Sequence, residues 1–340
     1  MYRSDDIANL FHKLGESAEN YREIESDLEF LEEPLPAPEC TVLAPSAPAV
    51  ERSRPLGELL AAASRRRENR QTPMQPDAAS GPRIVALVSG KGGVGRSTLA
   101  AALTCALQDI GGRTVALDLD PQNALCLNLG GDAEQPGLVQ ADIDGLTWNN
   151  LLQPGFCHSQ YLPFGPASLE QQRLLEQRLR SEPHWLAEHL AVLGLGAGDR
   201  LIVDLPAGAS AYLDQVLTIA DLVLVVTLPD AASYHALKRI EQLLQGNGQR
   251  ANAAPCRYLI NRLDSSRAFS LDMGDILQGH LDTRLLGVVQ QDNYLGESLA
   301  YARNPLARHP ASPGCRDLLA VASSLAESLR QTARQEPSPT

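Results

Sequence analysis

The sequence predicts an α/β protein with a doubly wound, mostly parallel sheet flanked by helices, preceded by a largely disordered N-terminal tail. Three observations carry this. Short apolar runs recur through residues 83–335: "RIVALVS", "TVALDLD", "LIVDLP", "LVLVVTLP", "RYLINRL" and "LLGVV". Helical stretches separate most of them, among them "STLAAALTCALQDIGG", "SLEQQRLLEQRLRSEPHWLAEHLAVLG" and "SYHALKRIEQLLQ". Runs apolar on both faces, joined by helices, are the pattern of parallel strands in βαβ units. Finally, composition breaks sharply at residues 34–82, where "EPLPAPECTVLAPSAPAVERSRP" reads as an extended linker.

Residues 1–33 hold two short amphipathic stretches. In "SDDIANLFHKLGE", Ile7, Leu10, Phe11 and Leu14 fall at helical spacing between Ser4, a suitable N-cap, and Gly15, a suitable stop. "YREIESDLEFLEE" follows. This segment either packs on its own domain or docks on a partner. A face this small buries little alone, which favours docking. Inside the linker, residues 55–70 place Leu56, Leu59 and Leu60 before the basic run Arg65–Arg67. A recognition helix and a nascent helix with a solvated charged end both satisfy that pattern.

Chemistry concentrates at the carboxyl ends of the strand candidates, where open α/β sheets bind ligands. "SGKGGVGRST" follows the first strand candidate and opens a helix. Glycines there let backbone N–H groups converge on a phosphate at the positive end of the helix dipole. The usual phosphate loop has lysine where Arg96 stands, and here a different lysine, Lys91, comes early. Arginine keeps the charge but is bulkier and planar. "ALDLDPQN" brings Asp118 and Asp120 to a second strand end, where alternation places both carboxylates on one side, and "LIVDLPAG" brings Asp204 to a third. Near the C-terminus, Leu318, Val321, Leu325 and Leu329 fall at the spacing of a core-packed helix.

Composition excludes several classes. The 340 residues carry a net charge of −12, which disfavours nucleic-acid binding. None of the six cysteines forms a C-x-x-C pair, so free thiols in a reducing compartment are expected. No run reaches the roughly 20 apolar residues of a membrane span. The acidic N-terminus lacks a secretory pattern. The expectation is a cytoplasmic protein with no transmembrane segment.

"KGGVGRST" resembles the deviant phosphate loop of the MinD/ParA class of P-loop ATPases. The resemblance implies ATP and Mg²⁺ as cofactors and an ATP-dependent homodimer. It implies that Gly90, Gly92, Gly93, Val94, Gly95, Arg96, Ser97 and Thr98 bind nucleotide, and that Lys91 reaches across the dimer to the partner's phosphates. Ser97, Asp118 and Asp204 would serve the metal, and Asp120 would position the attacking water. Lys91, Arg96 and Asp120 then form the catalytic set. Asn261, with Arg262, would contact adenine, and Gly208 would offer its N–H near the γ-phosphate. Gln290 stands where the family has a proline, so no adenine-flanking residue carries over. With Arg96 in the lysine slot, slow or altered hydrolysis is expected.

A narrower resemblance covers "LPFGPASLEQQRLLEQRL" and the following "HWL", which look like the BcsQ family of cellulose-synthase-associated ATPases. The N-terminal "DDIANLFHKLG" resembles the short cellulose-operon protein BcsR. Together these imply an accessory ATPase for cellulose synthesis and secretion, recruited peripherally to the inner membrane by partners and docked through residues 1–33. A positioning or partitioning ATPase, and a nucleotide-binding scaffold without turnover, are the alternatives.

Overall fold

The computed structural model describes residues 81–245, 254–298, 300–306 and 312–335. The expectations for 1–33 and 55–70, and for the linker up to residue 80, lie outside the described residues.

The first half of the domain runs β1 (Arg83–Val88), α1 (Arg96–Ile110), β2 (Thr114–Asp118), α2 (Ala124–Asn128), α3 (Leu138–Asp144), β3 (Gln153–Pro154) and β4 (Gln160–Leu162). It continues through α4 (Leu169–Ser181), α5 (Trp185–Ala191), β5 (Arg200–Asp204) and α6 (Ala211–Val216). The rest comprises β6 (Leu222–Thr227), α7 (Ala231–Gln245), β7 (Cys256–Leu263), α8 (Ala268–Leu281), β8 (Leu285–Gln290), α9 (Asn293–Ser298) and α10 (Pro313–Gln335).

The strands form one sheet in the order β3–β4–β2–β5–β1–β6–β7–β8. Every neighbouring pair is parallel except β3–β4. Alternation along β1 divides the core into two layers. Ile84, Ala86 and Val88 face one layer, with Trp148, Trp185, Leu237 and Leu277. Val85 and Leu87 face the other, with Leu99, Leu103 and Leu107 of α1 and Leu318, Val321 and Leu325 of α10. Helices thus cover both faces, which is why the central strands are continuously apolar. Small side chains at Ala100, Ala101 and Ala102, all fully buried, let α1 lie close on the sheet.

The helical stretch after "LPFG" is interrupted. Ser168 caps α4 by accepting the Gln171 N–H at 3.2 Å, and α4 ends before Glu182–Pro183, where the residue preceding proline resists helical backbone. The hairpin β3–β4 carries no sequence signal strong enough to anticipate. Its strands are two and three residues long, and β4 forms by pairing with β2 through Val115–Gln160 and Leu117–Leu162. No helix among the described residues is long and apolar enough to cross a membrane.

Candidate functional site

The loop joining β1 to α1 has the conformation its glycines allow. Gly93 and Gly95 sit at φ 74° and 84°, in the left-handed region. A Cβ on Gly95 would come within 2.6 Å of Asn261 Nδ2, so only glycine fits. Gly95 precedes the helix without a side-chain cap, so the first amides of α1 are left for an incoming anion. Gly90 lies against Ala236, Gly92 is exposed, and Val94 turns into the core. Thr98 lines the cleft described below.

Arg96, the first residue of α1, turns inward. Its Nε donates to Asp204 Oδ1 at 2.7 Å, Nη1 to Ser89 Oγ at 2.8 Å and Nη2 to Asp120 Oδ2 at 2.6 Å. Strand order explains the convergence. The strands β2 and β1 flank β5, so the ends bearing Asp120, Asp204 and the loop are neighbours. The arginine side chain is only 8% exposed, so these are charge-assisted bonds in a dry setting. One guanidinium therefore ties both switch-like aspartates to the phosphate loop.

Asp118, expected to serve the metal, lies at the end of β2. It is fully buried, Oδ1 accepts the Asp120 N–H at 2.9 Å, and Oδ2 accepts the Leu125 N–H at 3.0 Å. Each oxygen accepts one backbone N–H, so this carboxylate shapes the turn after β2. Burial, then the Asp204 charge, push its pKa well above the usual carboxylate range. The Gly208 N–H donates to the Ser89 carbonyl at 3.0 Å, which places it beside the phosphate loop.

Asp204 is fully buried at the end of β5. Burial pushes its carboxyl up, while the Arg96 charge and the Ser97 hydroxyl pull it down. Its Oδ2 has no hydrogen-bond partner. An orphaned carboxylate oxygen beside a hydroxyl suits a hydrated divalent cation, and Ser97 and Asp204 are the residues that would hold Mg²⁺. Such an ion would offset phosphate charge. Among the described residues no group of three or more His, Cys, Asp or Glu side chains is placed to hold a metal ion.

Lys91 stands on the rim. Its Nζ donates to both Asp230 oxygens, at 2.8 and 3.0 Å. Asp230 follows β6, and its Oδ1 also accepts the Ser233 N–H at 2.7 Å. Against the upward pull of burial, the Lys91 ammonium and that amide hold Asp230 below the usual carboxylate range. The pair is about one-third exposed, so it is worth roughly 0–1 kcal/mol.

A cleft of about 470 Å³ opens beside the loop, lined by Gly95, Thr98, Asn261, Gln291, Asp292 and Leu295 among others. The size suits a small ligand. Asn261 Nδ2 donates to the Val94 carbonyl at 2.8 Å, and Arg262 Nη1 to that of Gly93 at 3.3 Å. Both residues therefore brace the loop as well as wall the cleft. The wall from Gln291 onward belongs to the segment where the resemblance implies an adenine-flanking loop but no particular residue. The available signal was positional, since that segment leaves the carboxyl end of β8 beside Asn261.

A family model described as "Cellulose biosynthesis protein BcsQ" matches residues 83–325. The Salmonella typhimurium BcsQ protein is 29% identical over 238 residues, covering 66% of this chain and 86% of that protein. A chloroplastic septum site-determining minD homologue of Arabidopsis thaliana is 30% identical over 234 residues, and the match spans 62% of this chain and 65% of that protein. Among solved structures, the Pyrococcus horikoshii septum site-determining protein MinD complexed with Mg-ADP superposes with a TM-score of 0.61 at 22% identity, covering 74% of this chain and 98% of that one. A putative plasmid partition protein of Borrelia burgdorferi bound to AMPPNP gives 0.59 at 16% identity, covering 73% and 99%. These structural likenesses establish the MinD/ParA fold.

Proposed function

Because the chain belongs to the BcsQ family of cellulose biosynthesis proteins, we propose that it is an ATP-dependent dimerisation switch serving a cellulose synthesis and secretion complex. The observation that carries the reading is the β1–α1 loop. An uncapped helix N-terminus, the unpartnered Asp204 oxygen and a rim lysine share one strand-end crevice. That arrangement suits the triphosphate of a nucleotide whose base enters the cleft beside Asn261. Mg-ADP in one solved structure of the same fold and AMPPNP in another support the cofactor assignment.

In this mechanism Lys91 exchanges Asp230 for the phosphates of a second subunit's nucleotide. The weak, one-third-exposed ion pair makes that exchange cheap. Contacts made only with ATP bound bias the chain toward the dimer, whose surface recruits partners. Arg96 holds Asp120 in an ion pair, which withholds that carboxylate from water activation and slows turnover. The protein acts in the cytoplasm and is recruited to the inner membrane by partners, with residues 1–33 as the docking segment. A scaffold that binds ATP without turnover is a second reading, favoured by the same Arg96–Asp120 contact. The net charge of −12 weighs against a nucleic-acid partner.

Light scattering with Mg²⁺ and either ATP or ADP tests the switch. The wild-type mass should double with ATP only, and Lys91→Ala should remain monomeric with ATP while melting normally. A Lys91→Ala variant that dimerises as well as wild type would refute the exchange of Lys91 between subunits.

A further inference from the structure

Two thiols meet where the β3–β4 hairpin turns against α1, away from the crevice. Cys105 is fully buried in α1, and its Sγ lies 3.7 Å from the Phe156 carbonyl oxygen, one residue before Cys157. Cys157 is only partly buried. It occupies the turn Phe156–Ser159, closed by the Ser159 N–H donating to the Phe156 carbonyl at 3.0 Å. Both central residues have positive φ, 56° at Cys157 and 59° at His158. That is the backbone of a hairpin turn normally filled by Asn-Gly, so the cysteine holds a strained position. Surrounding bonds fix it there, with Ser159 Oγ donating to the Phe156 carbonyl at 2.7 Å and Gly155 N–H to the Ser159 carbonyl at 2.8 Å. The result sets the Cys105 thiol against the turn that carries Cys157. Asn304 Nδ2 donates to Cys157 Sγ from another direction at 3.0 Å.

We propose that Cys105 and Cys157 form a reversible disulfide driven by peroxide, with Cys157 as the attacking thiol and Cys105 as the resolving one. The Cys157 thiolate attacks a peroxide oxygen, the O–O bond breaks, and the leaving oxygen departs as water after taking a proton. Cys157 is then a sulfenic acid. The Cys105 sulfur, giving up its proton, attacks the Cys157 sulfur and expels the sulfenic oxygen as a second water. Two electrons pass from the thiol pair to one peroxide, and a dithiol reductant reverses the change.

The surroundings suit these roles. The neighbouring Cys105 thiol brings Cys157 down to about 7, against the opposing effects of burial and Asp109. Cys105 is pushed far up by the neighbouring Cys157 thiol and by burial, with Asp109 adding to the rise. The exposed partner is therefore the ionised one. Elsewhere, burial pushes Cys126 up to about 12 and raises Cys256 and Cys315, which makes them poor competitors. The bond would fasten α1, the helix that opens at the phosphate loop, to the sheet-edge hairpin. It would also take Cys157 away from Asn304, on the chain that continues from the cleft wall.

The test is hydrogen peroxide treatment of the full chain, alkylation of remaining thiols, and peptide mapping without reductant. A Cys105–Cys157 linked peptide should dominate and disappear with dithiothreitol. The initial rate of thiol loss should rise about tenfold from pH 6 to pH 8, following ionisation of Cys157. Cys105→Ser should leave Cys157 as a sulfenic acid trapped by dimedone. Full alkylation of Cys157 after peroxide, or a disulfide joining other cysteines, would overturn the proposal, and the wild-type map alone distinguishes these results.

Discussion

Arg96→Ala is expected to lower the unfolding free energy by about 3–5 kcal/mol, the cost of leaving buried charge unpaired. The arginine is the charged partner of both Asp120 and Asp204, and Asp204 is fully buried. For a domain of this size, that loss corresponds to a melting temperature lower by roughly 6–20 °C. The pH dependence follows from Asp204. Burial already raises its carboxyl in the folded protein, and Arg96 opposes that rise. Without Arg96 the folded carboxyl moves higher, so above the ordinary carboxylate range the folded state binds more protons than the unfolded one. Stability then falls as pH rises. The deficit against wild type should therefore be largest near neutrality and shrink in acid. Urea denaturation at two pH values measures it. A deficit below about 1 kcal/mol would mean that the buried pairs contribute no more than surface contacts.

Arg96→Lys is expected to raise ATP turnover by about 100-fold, the lower end of what a freed general base contributes. Lysine is a compact point charge without the planar fork that joins Asp204, Ser89 and Asp120 in one group. It can serve one carboxylate and leave Asp120 to the water. Phosphate release at saturating ATP and Mg²⁺ checks this. Turnover equal to or below wild type would show that the Arg96–Asp120 bond is not what restrains hydrolysis.

Much of this architecture is legible in the sequence, for identifiable reasons. The runs that became β1, β2, β5 and β6 are apolar on both faces because helices cover both faces of the sheet, and that leaves an unbroken pattern. The phosphate loop is legible because glycines between a strand and a helix admit few backbone paths. The direction of the Arg96 side chain is not legible. The sequence shows a cation in the phosphate slot, but only the order β2–β5–β1 brings Asp120 and Asp204 within its reach. The backbone bonds of Asp118 are not legible either. The strand ends at that residue, and the turn through Asn123, at φ 50°, folds the Leu125 N–H back onto its carboxylate. The β3–β4 hairpin is hidden because its strands are too short for a period, while the segment after Gln290 is legible as an adenine-flanking loop only through the resemblance, which fixes none of its residues.

The Arg96 bridge is tested most directly by a double-mutant cycle in nucleotide-free protein, using Arg96→Ala, Asp120→Ala and the double variant in urea denaturation. A charged contact of 2.6 Å between mostly buried groups should give a coupling energy at the upper end of the roughly 0.5–3 kcal/mol seen for contacting residues. Additive effects, with no coupling beyond error, would contradict the bridge and with it the proposed restraint on turnover.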